Sequence, residues 1–226
     1  MNQSSNLSFP TFSIIVPYRD RPDHLAKFVP HYTALFPMAE IIVVEQADNR
    51  PFNRGWLLNV GFEQAIGNHV IFHDIDMIAA SGMQHYIKFP EHPTQLATHA
   101  QQFGYRMPFP EYFGGVTSFS VDDFEACNGF SNNFWSWGGE DCEMYDNVKK
   151  CGFEILYKTC YHNCLHHERE FKDICLPTDH PNYILWKQGR GSFDGLDSCI
   201  FDIVHLKISG NYHHYKVTSS MPDIQL

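Results

Sequence analysis

The chain has 226 residues, enough for one large domain, and its 43% hydrophobic content supplies an ample core. A formal net charge of −10 argues against a nucleic-acid partner, since such proteins carry a basic patch. No stretch approaches the roughly 18 apolar residues of a membrane span, so no transmembrane segment is predicted; peripheral membrane association is left open.

The first predicted element is a β-rich apolar run over residues 12–17. It ends in Pro17-Tyr18-Arg19-Asp20-Arg21. Arginine at a strand's C-terminal edge can pair with a diphosphate or hydrogen-bond a base; the plain alternative is a surface ion pair with Asp20 or Asp23. Pro22 opens a helix to about Leu35, proline being favoured in a first turn. Ile41 to Gln46 reads as a second buried strand. Asn53 is placed to cap a helix running to about Ala65. Val70 to His73 is a third strand and leads into Asp74-Ile75-Asp76.

Two carboxylates at a strand's C-terminal end lie where open α/β sheets bind ligands. Their hard oxygens suit Mn²⁺ or Mg²⁺. Taken alone a D-x-D is a weak signal, because any acidic turn produces one. Residues 89–110 are predicted irregular. Val116 to Val121 reads as a strand and Val121 begins a short helix. Asp141 to Lys150 is helical, with Gly152 as its stop. Phe153 to Tyr161 alternates like a strand, residues 170–192 look loop-rich, and Ile200 to Leu206 is a strand. Strands alternating with helices predict an α/β fold with a mostly parallel central sheet.

The densest motif is Phe134-Trp135-Ser136-Trp137-Gly138-Gly139-Glu140-Asp141. Trp135 and Trp137 offer flat faces for a sugar ring, the glycines admit close backbone approach, and a neighbouring carboxylate can raise one of the two pKa values of Glu140 and Asp141. A buried tryptophan loop whose carboxylates cap the next helix is the plain alternative.

Taken in order, these motifs resemble the β-1,4-galactosyltransferases, glycosyltransferase family 7. The resemblance covers roughly residues 12–170. It rests on Ile14 to Leu25, Phe52-Asn53-Arg54-Gly55-Trp56-Leu57-Leu58-Asn59-Val60-Gly61-Phe62, Asp74-Ile75-Asp76, Tyr112-Phe113-Gly114-Gly115-Val116, Asn128-Gly129-Phe130-Ser131-Asn132-Asn133 and the Trp-Gly-Gly-Glu-Asp run. Asp194-Gly195-Leu196-Asp197-Ser198 is a weaker echo of a late family turn.

The resemblance implies a GT-A nucleotide-sugar transferase fold in one domain. Residues 1–10 would be an extension, roughly 12–76 the nucleotide-binding half and 77–226 the acceptor- and metal-binding half. It implies inverting, metal-dependent transfer of galactose from a UDP-sugar donor, UDP-galactose, to a glycan acceptor. UDP-N-acetylgalactosamine or UDP-xylose as donor, a non-catalytic carbohydrate-binding derivative, and a zinc-binding structural protein are the alternatives.

Asp141 is then the catalytic base, with Glu140 beside it. Pro17, Arg19, Arg21, Phe52, Arg54, Asp74, Asp76, Tyr112, Gly115 and Trp137 would bind the donor. Tyr112, Trp137, Gly139, Glu140 and Asp141 would meet the acceptor. A bulky ring at Tyr112 would screen the C2 substituent and favour galactose. Mn²⁺ would be held by Asp76, Cys164 and His167, with His162 or His166 as the alternatives of a shifted register; the cysteine, a softer ligand, leans toward Zn²⁺. Family members of the animal Golgi carry a membrane anchor. The polar start Met1 to Phe9 and seven cysteines, an odd count, point instead to reduced thiols and a cytoplasmic, bacterial-type enzyme, or to a piece of a longer protein.

Overall fold

The structure is a computed structural model and describes residues 12–89, 91–168, 176–191 and 193–221. The segment before Phe12 lies outside the described residues, as do Arg169, Glu170 and Cys175.

Strand β1 (Ser13–Tyr18) leads through helix α1 (Pro22–Leu35) to β2 (Glu40–Gln46), then through α2 (Arg54–Gln64) to β3 (His69–His73). The three strands lie in the order β2-β1-β3, all parallel. Alternation along them separates two apolar layers. Ile14, Val16, Ile41, Val43 and Ile71 face Phe28 and Tyr32 of α1. Ile15, Ile42, Val44, Val70 and Phe72 face Trp56, Leu57 and Val60 of α2. The chain steps to one side of β1 for β2 and to the other for β3. That reversal opens a crevice at the carboxyl ends of β1 and β3, where this architecture binds ligands.

Beyond β3 the large sheet continues with β7 (Val116–Ser120), antiparallel to it, then the two-residue strands β5 (Thr94–Gln95) and β8 (Leu156–Tyr157). On the other side β11 (Tyr212–Ser219) runs parallel to β2 and is covered at its outer edge by β10 (Phe201–Ser209). A small second sheet joins β4 (Met77–Ser81), β9 (Tyr161–Cys164) and β6 (His99–Ala100) in that order. Helices α3 (Val121–Ala126), α4 (Glu140–Lys150) and α5 (Pro181–Gln188) complete the fold.

Two expectations are corrected. The strand predicted over Phe153 to Tyr161 is split: β8 pairs with β5 in the large sheet, whereas β9 pairs with β4 and β6 in the small one. The chain changes sheets between them, and Thr98 Oγ1 holds the crossing by donating to the Lys158 carbonyl and accepting from the Cys160 N–H. The loop-rich reading of 170–192 misses α5, whose start is marked by His180 as cap and Pro181 at the first helical position.

Buried asparagines join α2 to the Asn128–Asn133 segment. Asn53 caps α2 by accepting from the Trp56 N–H at 2.9 Å and donates to the Asn132 carbonyl at 2.7 Å. Asn59, fully buried, accepts from the Phe130 N–H at 2.9 Å and donates to the Phe130 carbonyl and Asn132 Oδ1. Asn132 in turn donates to the Gly195 carbonyl, and Asp194 accepts from Ser131 Oγ and the Asn132 N–H. The late Asp194 to Ser198 turn is therefore a brace for the earlier motif. Asn59→Ala strands the Phe130 N–H and carbonyl in an apolar layer. It is expected to lower unfolding free energy by about 3 kcal/mol in urea melts; a loss under about 1 kcal/mol would show that the brace carries little.

Candidate active site

Arg54 is the first residue of α2, and its guanidinium is turned toward the crevice. Its Nε donates to Asp74 Oδ1 and its Nη1 to Asp141 Oδ1, each at 2.7 Å, with Glu140 Oε1 at 3.7 Å. Three carboxylates from two distant segments thus meet one cation. Glu140 and Asp141 occupy the first turn of α4, where helix N–H groups favour anions. Gly139, at φ 95°, makes the corner into that helix, and a Cβ there would lie 2.7 Å from the Phe134 ring.

Asp141 Oδ2 presses against Gly114. A Cβ at that position would stand 1.9 Å from the oxygen, so any other residue would push the carboxylate out of place. Burial pushes the Asp141 carboxyl up to about 8; Arg54 opposes this, and Glu140 and Asp74 add to it. Burial raises Asp74 and Glu140 as well, again against the pull of Arg54. Glu140 Oε2 is buried without a hydrogen-bond partner.

Tyr112 roofs the same space. Its ring lies edge-on to Phe103 and Phe109, and its hydroxyl would be 2.8 Å from a Cβ on Gly115. Burial pushes this phenol well above its usual range, and the Asp141 and Asp74 charges add to the effect. The Gly115 carbonyl accepts the Asp74 N–H at 2.8 Å, tying this loop to the Asp74–Asp76 turn.

At the other end of the crevice the guanidinium of Arg19 lies 5.3 Å from the centre of the Phe52 ring and donates to the Arg50 carbonyl. Pro17 is buried in β1 opposite Val44. Asp20, at φ 51°, turns the chain so that Arg19 and Arg21 diverge. Arg21 Nη2 comes 3.3 Å from His167 Nδ1.

Of the four His and Cys candidates for a metal, the structure brings one to Asp76. His167 Nε2 is 3.1 Å from Asp76 Oδ2. Cys164 packs against the apolar layer beside α1, opposite Met77. His162 is fully buried and bonded to Tyr86. His166 is exposed, and its carbonyl faces His24. The expected triple of Asp76, Cys164 and His167 does not converge: among the described residues no three His, Cys, Asp or Glu side chains form a metal-binding group.

The pair that remains fits a divalent cation. His167 Nδ1 lies 2.7 Å from the Glu168 carbonyl and 3.3 Å from Arg21 Nη2, so the ring is held from that side. Its Nε2 shares a hydrogen bond with the Asp76 carboxylate, and a divalent cation taking the place of that proton would be bound by both groups. One oxygen and one imidazole nitrogen suit Mn²⁺ without a thiolate.

Trp137 stands at the rim, 37% exposed. Its loop is held by a residue that carries no motif: Asn182 Nδ2 faces the carbonyls of Trp135, Trp137 and Gly138 at 2.9, 3.3 and 2.9 Å. Asn182 is the second residue of α5, and recognising the His-Pro helix start would have pointed to it. The Ser136 N–H donates to the Phe52 carbonyl at 2.8 Å and joins this loop to the other end of the crevice.

These features define the class, a GT-A glycosyltransferase fold with an acid-lined crevice. A family model described as the N-terminal region of glycosyl transferase group 7 matches residues 6–88, and one described as the N-terminal domain of galactosyltransferase matches residues 94–170. The chain belongs to glycosyltransferase family 7, the β-1,4-galactosyltransferase family. It is similar to human β-1,4-galactosyltransferase 6, with 32% identity over 84% of this chain and 52% of that protein. Mouse β-1,4-galactosyltransferase 5 is 36% identical over 63% of this chain and 39% of that protein. The chain thus spans about half or less of the length of these curated relatives. In fold it is similar to the catalytic domain of Drosophila β-1,4-galactosyltransferase 7 in complex with xylobiose, with a TM-score of 0.76 and 24% identity over 93% of this chain and 94% of that one.

The raised Asp141 value has a consequence for stability. A carboxyl whose folded pKa is raised stabilises the fold while protonated, and that contribution is lost as pH rises through the folded value. Between the ordinary aspartate value of 3.8 and about 8, the parent is expected to lose stability that Asp141→Asn retains. Thermal melts across that range in ligand-free protein should show the variant gaining on the parent as pH rises. Parallel curves would remove the assignment.

Proposed function

We propose that this chain transfers galactose from UDP-galactose to a hydroxyl of a glycan acceptor, with inversion to a β linkage and dependence on a divalent cation of the Mn²⁺ type. The observation that carries the reading is the position of Asp141. Its Oδ1 is held by Arg54 while its Oδ2 lies along Gly114 under Tyr112, and the Asp76–His167 pair stands beyond Asp74. In this reading a base and an anion-plus-imidazole pair serve one crevice. The family and the names of its relatives support the substrate class. The Drosophila enzyme, in a second complex, holds manganese, UDP-Gal and xylobiose.

In this reading Phe52 and Arg19 pack at the uracil end, and Arg21 reaches the diphosphate. Asp76 and His167 would hold the cation, which would supply charge neutralisation to a diphosphate. Gly115 and Tyr112 border the sugar, and Trp137, Gly139 and Glu140 face the acceptor. Asp141 Oδ2 takes the proton of the acceptor hydroxyl as its oxygen bonds to the anomeric carbon. The bond from that carbon to the β-phosphate oxygen breaks, and its electron pair leaves with UDP. Arg54 keeps Oδ1 occupied, so Oδ2 is the oxygen free to accept.

Asp141→Asn is expected to keep UDP binding and to lose transfer by about 10²–10⁴-fold, measured as release of UDP dependent on acceptor. Near-normal turnover would reject Asp141 as the base.

Donor choice is tested at Tyr112, whose ring in this reading borders the sugar and would favour a C2 hydroxyl over an acetamido group. The parent is expected to prefer UDP-galactose. Tyr112→Leu should shift the ratio toward UDP-N-acetylgalactosamine by an amount worth about 1–3 kcal/mol. Initial rates with both donors, with Mn²⁺ and with EDTA, decide it. A parent that already uses UDP-N-acetylgalactosamine better would overturn the donor assignment, and equal rates in EDTA would overturn the cation.

A further inference from the structure

Behind the crevice runs a chain of polar side chains that the reaction above does not use. His73 closes β3, one residue before Asp74. Tyr86 follows β4, and His162 lies in β9. All three are 0–1% exposed, in an otherwise apolar layer. The Tyr86 hydroxyl is 2.9 Å from His73 Nε2 and 2.7 Å from His162 Nε2, and His73 Nδ1 is 2.9 Å from the Asp74 carbonyl.

Proton positions along this chain follow from its end. A carbonyl only accepts, so His73 Nδ1 carries the proton and donates. Burial keeps both imidazoles neutral, His73 well below its usual range and His162 pushed down to about 4. His73 Nε2 is therefore a lone pair and accepts the Tyr86 O–H. The Tyr86 oxygen accepts the His162 Nε2–H in turn. His162 Nδ1 is left as a buried lone pair without a partner, so the chain runs in one direction, from His162 to the peptide between Asp74 and Ile75.

Its two ends sit on the two segments that carry Asp76 and His167. The Asp74 carbonyl begins the Asp74–Asp76 turn, and His162 stands five residues before His167 on the same strand and its continuation. The segments also touch directly, with the Leu165 N–H donating to the Asp76 carbonyl at 2.7 Å and β4 paired to β9 through Met77↔Cys164 and Ala79↔His162. On the α1 side the Tyr32 hydroxyl accepts the Ala79 N–H at 2.9 Å. Among the described residues Tyr86 is the one that bonds both histidines, since a hydroxyl accepts and donates through one atom, and the Tyr32 hydroxyl lies beside it.

We propose that Tyr86 is a positioning residue that, through His73 and His162, fixes the separation of Asp76 from His167 and so sets the affinity of the site for its cation on a diphosphate. The proposal rests on the functional reading of the Asp76–His167 pair. Tyr86→Phe keeps the ring and its stacking on Phe36 at 5.3 Å but removes the one atom that both imidazoles share. A glutamine at 162 can offer an amide N–H near the lost Nε2–H; a leucine cannot.

The test uses the full chain and three variants, Tyr86→Phe, His162→Gln and His162→Leu. Mn²⁺ is titrated calorimetrically in the presence of UDP. Tyr86→Phe and His162→Leu are expected to bind Mn²⁺ about tenfold more weakly, the low end of what outer-sphere partners are worth, and His162→Gln within about twofold of the parent. Hydrogen exchange of the metal-free proteins is the second arm. Peptides spanning 74–79 and 161–167 should exchange faster in Tyr86→Phe, while α1 stays at the parental rate. Parental Mn²⁺ affinity in Tyr86→Phe overturns the proposal. So does faster exchange that extends through α1, since that is general destabilisation. A parent showing no metal-dependent UDP binding sinks the cation reading and the affinity claim with it. The exchange arm then still decides whether Tyr86 ties the two segments.

Discussion

The site depends on one guanidinium. Asp74, Glu140 and Asp141 are drawn into a space where burial alone would protonate them, and Arg54 is the group that opposes this. Removing one partner from such a cluster leaves uncompensated charge, worth about 3–5 kcal/mol where it has been measured for buried pairs. Arg54 can serve because it is the first residue of a helix whose start is fixed. Asn53 caps that helix and Asn59 braces it, and both bonds end on the Phe130–Asn132 segment. The motif residues of α2 and of 128–133 are one mechanical part, and the cation is its working tip.

The crevice is built of turns rather than of periodic elements. Arg54 lies 20 residues from Asp74 and 87 from Asp141 along the chain. Backbone shape brings them together, with Gly139 at φ 95° and Gly114 admitting the Asp141 carboxylate where a methyl group would collide. Ser136, a non-glycine residue at φ 64°, is held there by the Phe52 carbonyl on one side and by Asn182 on its neighbours. A residue in this sparsely populated region persists only when its surroundings over-determine it.

Much of this was legible in the sequence, for reasons that differ by element. The β1-α1-β2-α2-β3 run has apolar stretches, a Pro at a helix start and an Asn cap, and its observed bounds differ from the expected ones by a residue or so. The ordered motifs located Arg54, Asp74 and Asp141. What they could not convey is that Arg54 binds both carboxylates, because spacing carries no information about side-chain direction across a turn. Cys164 shows the same limit. Spacing suggested it beside His167, yet alternation along β9 puts it on the face of His162, toward the core. Two-residue strands such as β5, β6 and β8 leave no periodic trace at all, so the small sheet that carries His162 was invisible. Asn182 was missed because a single buried amide in α5 belongs to no pattern.

One feature of the sheet reaches beyond the site into kinetics. Strand β2 has β1 on one side and β11 on the other, and Lys216 meets Glu45 across 171 residues of chain. The strand that pairs with the outer edge of β2 is therefore the last of the described strands. Bringing such distant segments together adds little to the equilibrium cost, since loop-closure entropy grows only with the logarithm of length. It does slow the search, because non-local pairing is what makes folding slow. On a ribosome the β1-α1-β2-α2-β3 unit emerges with one edge of β2 bare, and it stays bare until residue 219 has been synthesised. For that interval the nascent chain presents the unpaired backbone N–H and C=O groups of Ile41 to Val44 as an open strand edge.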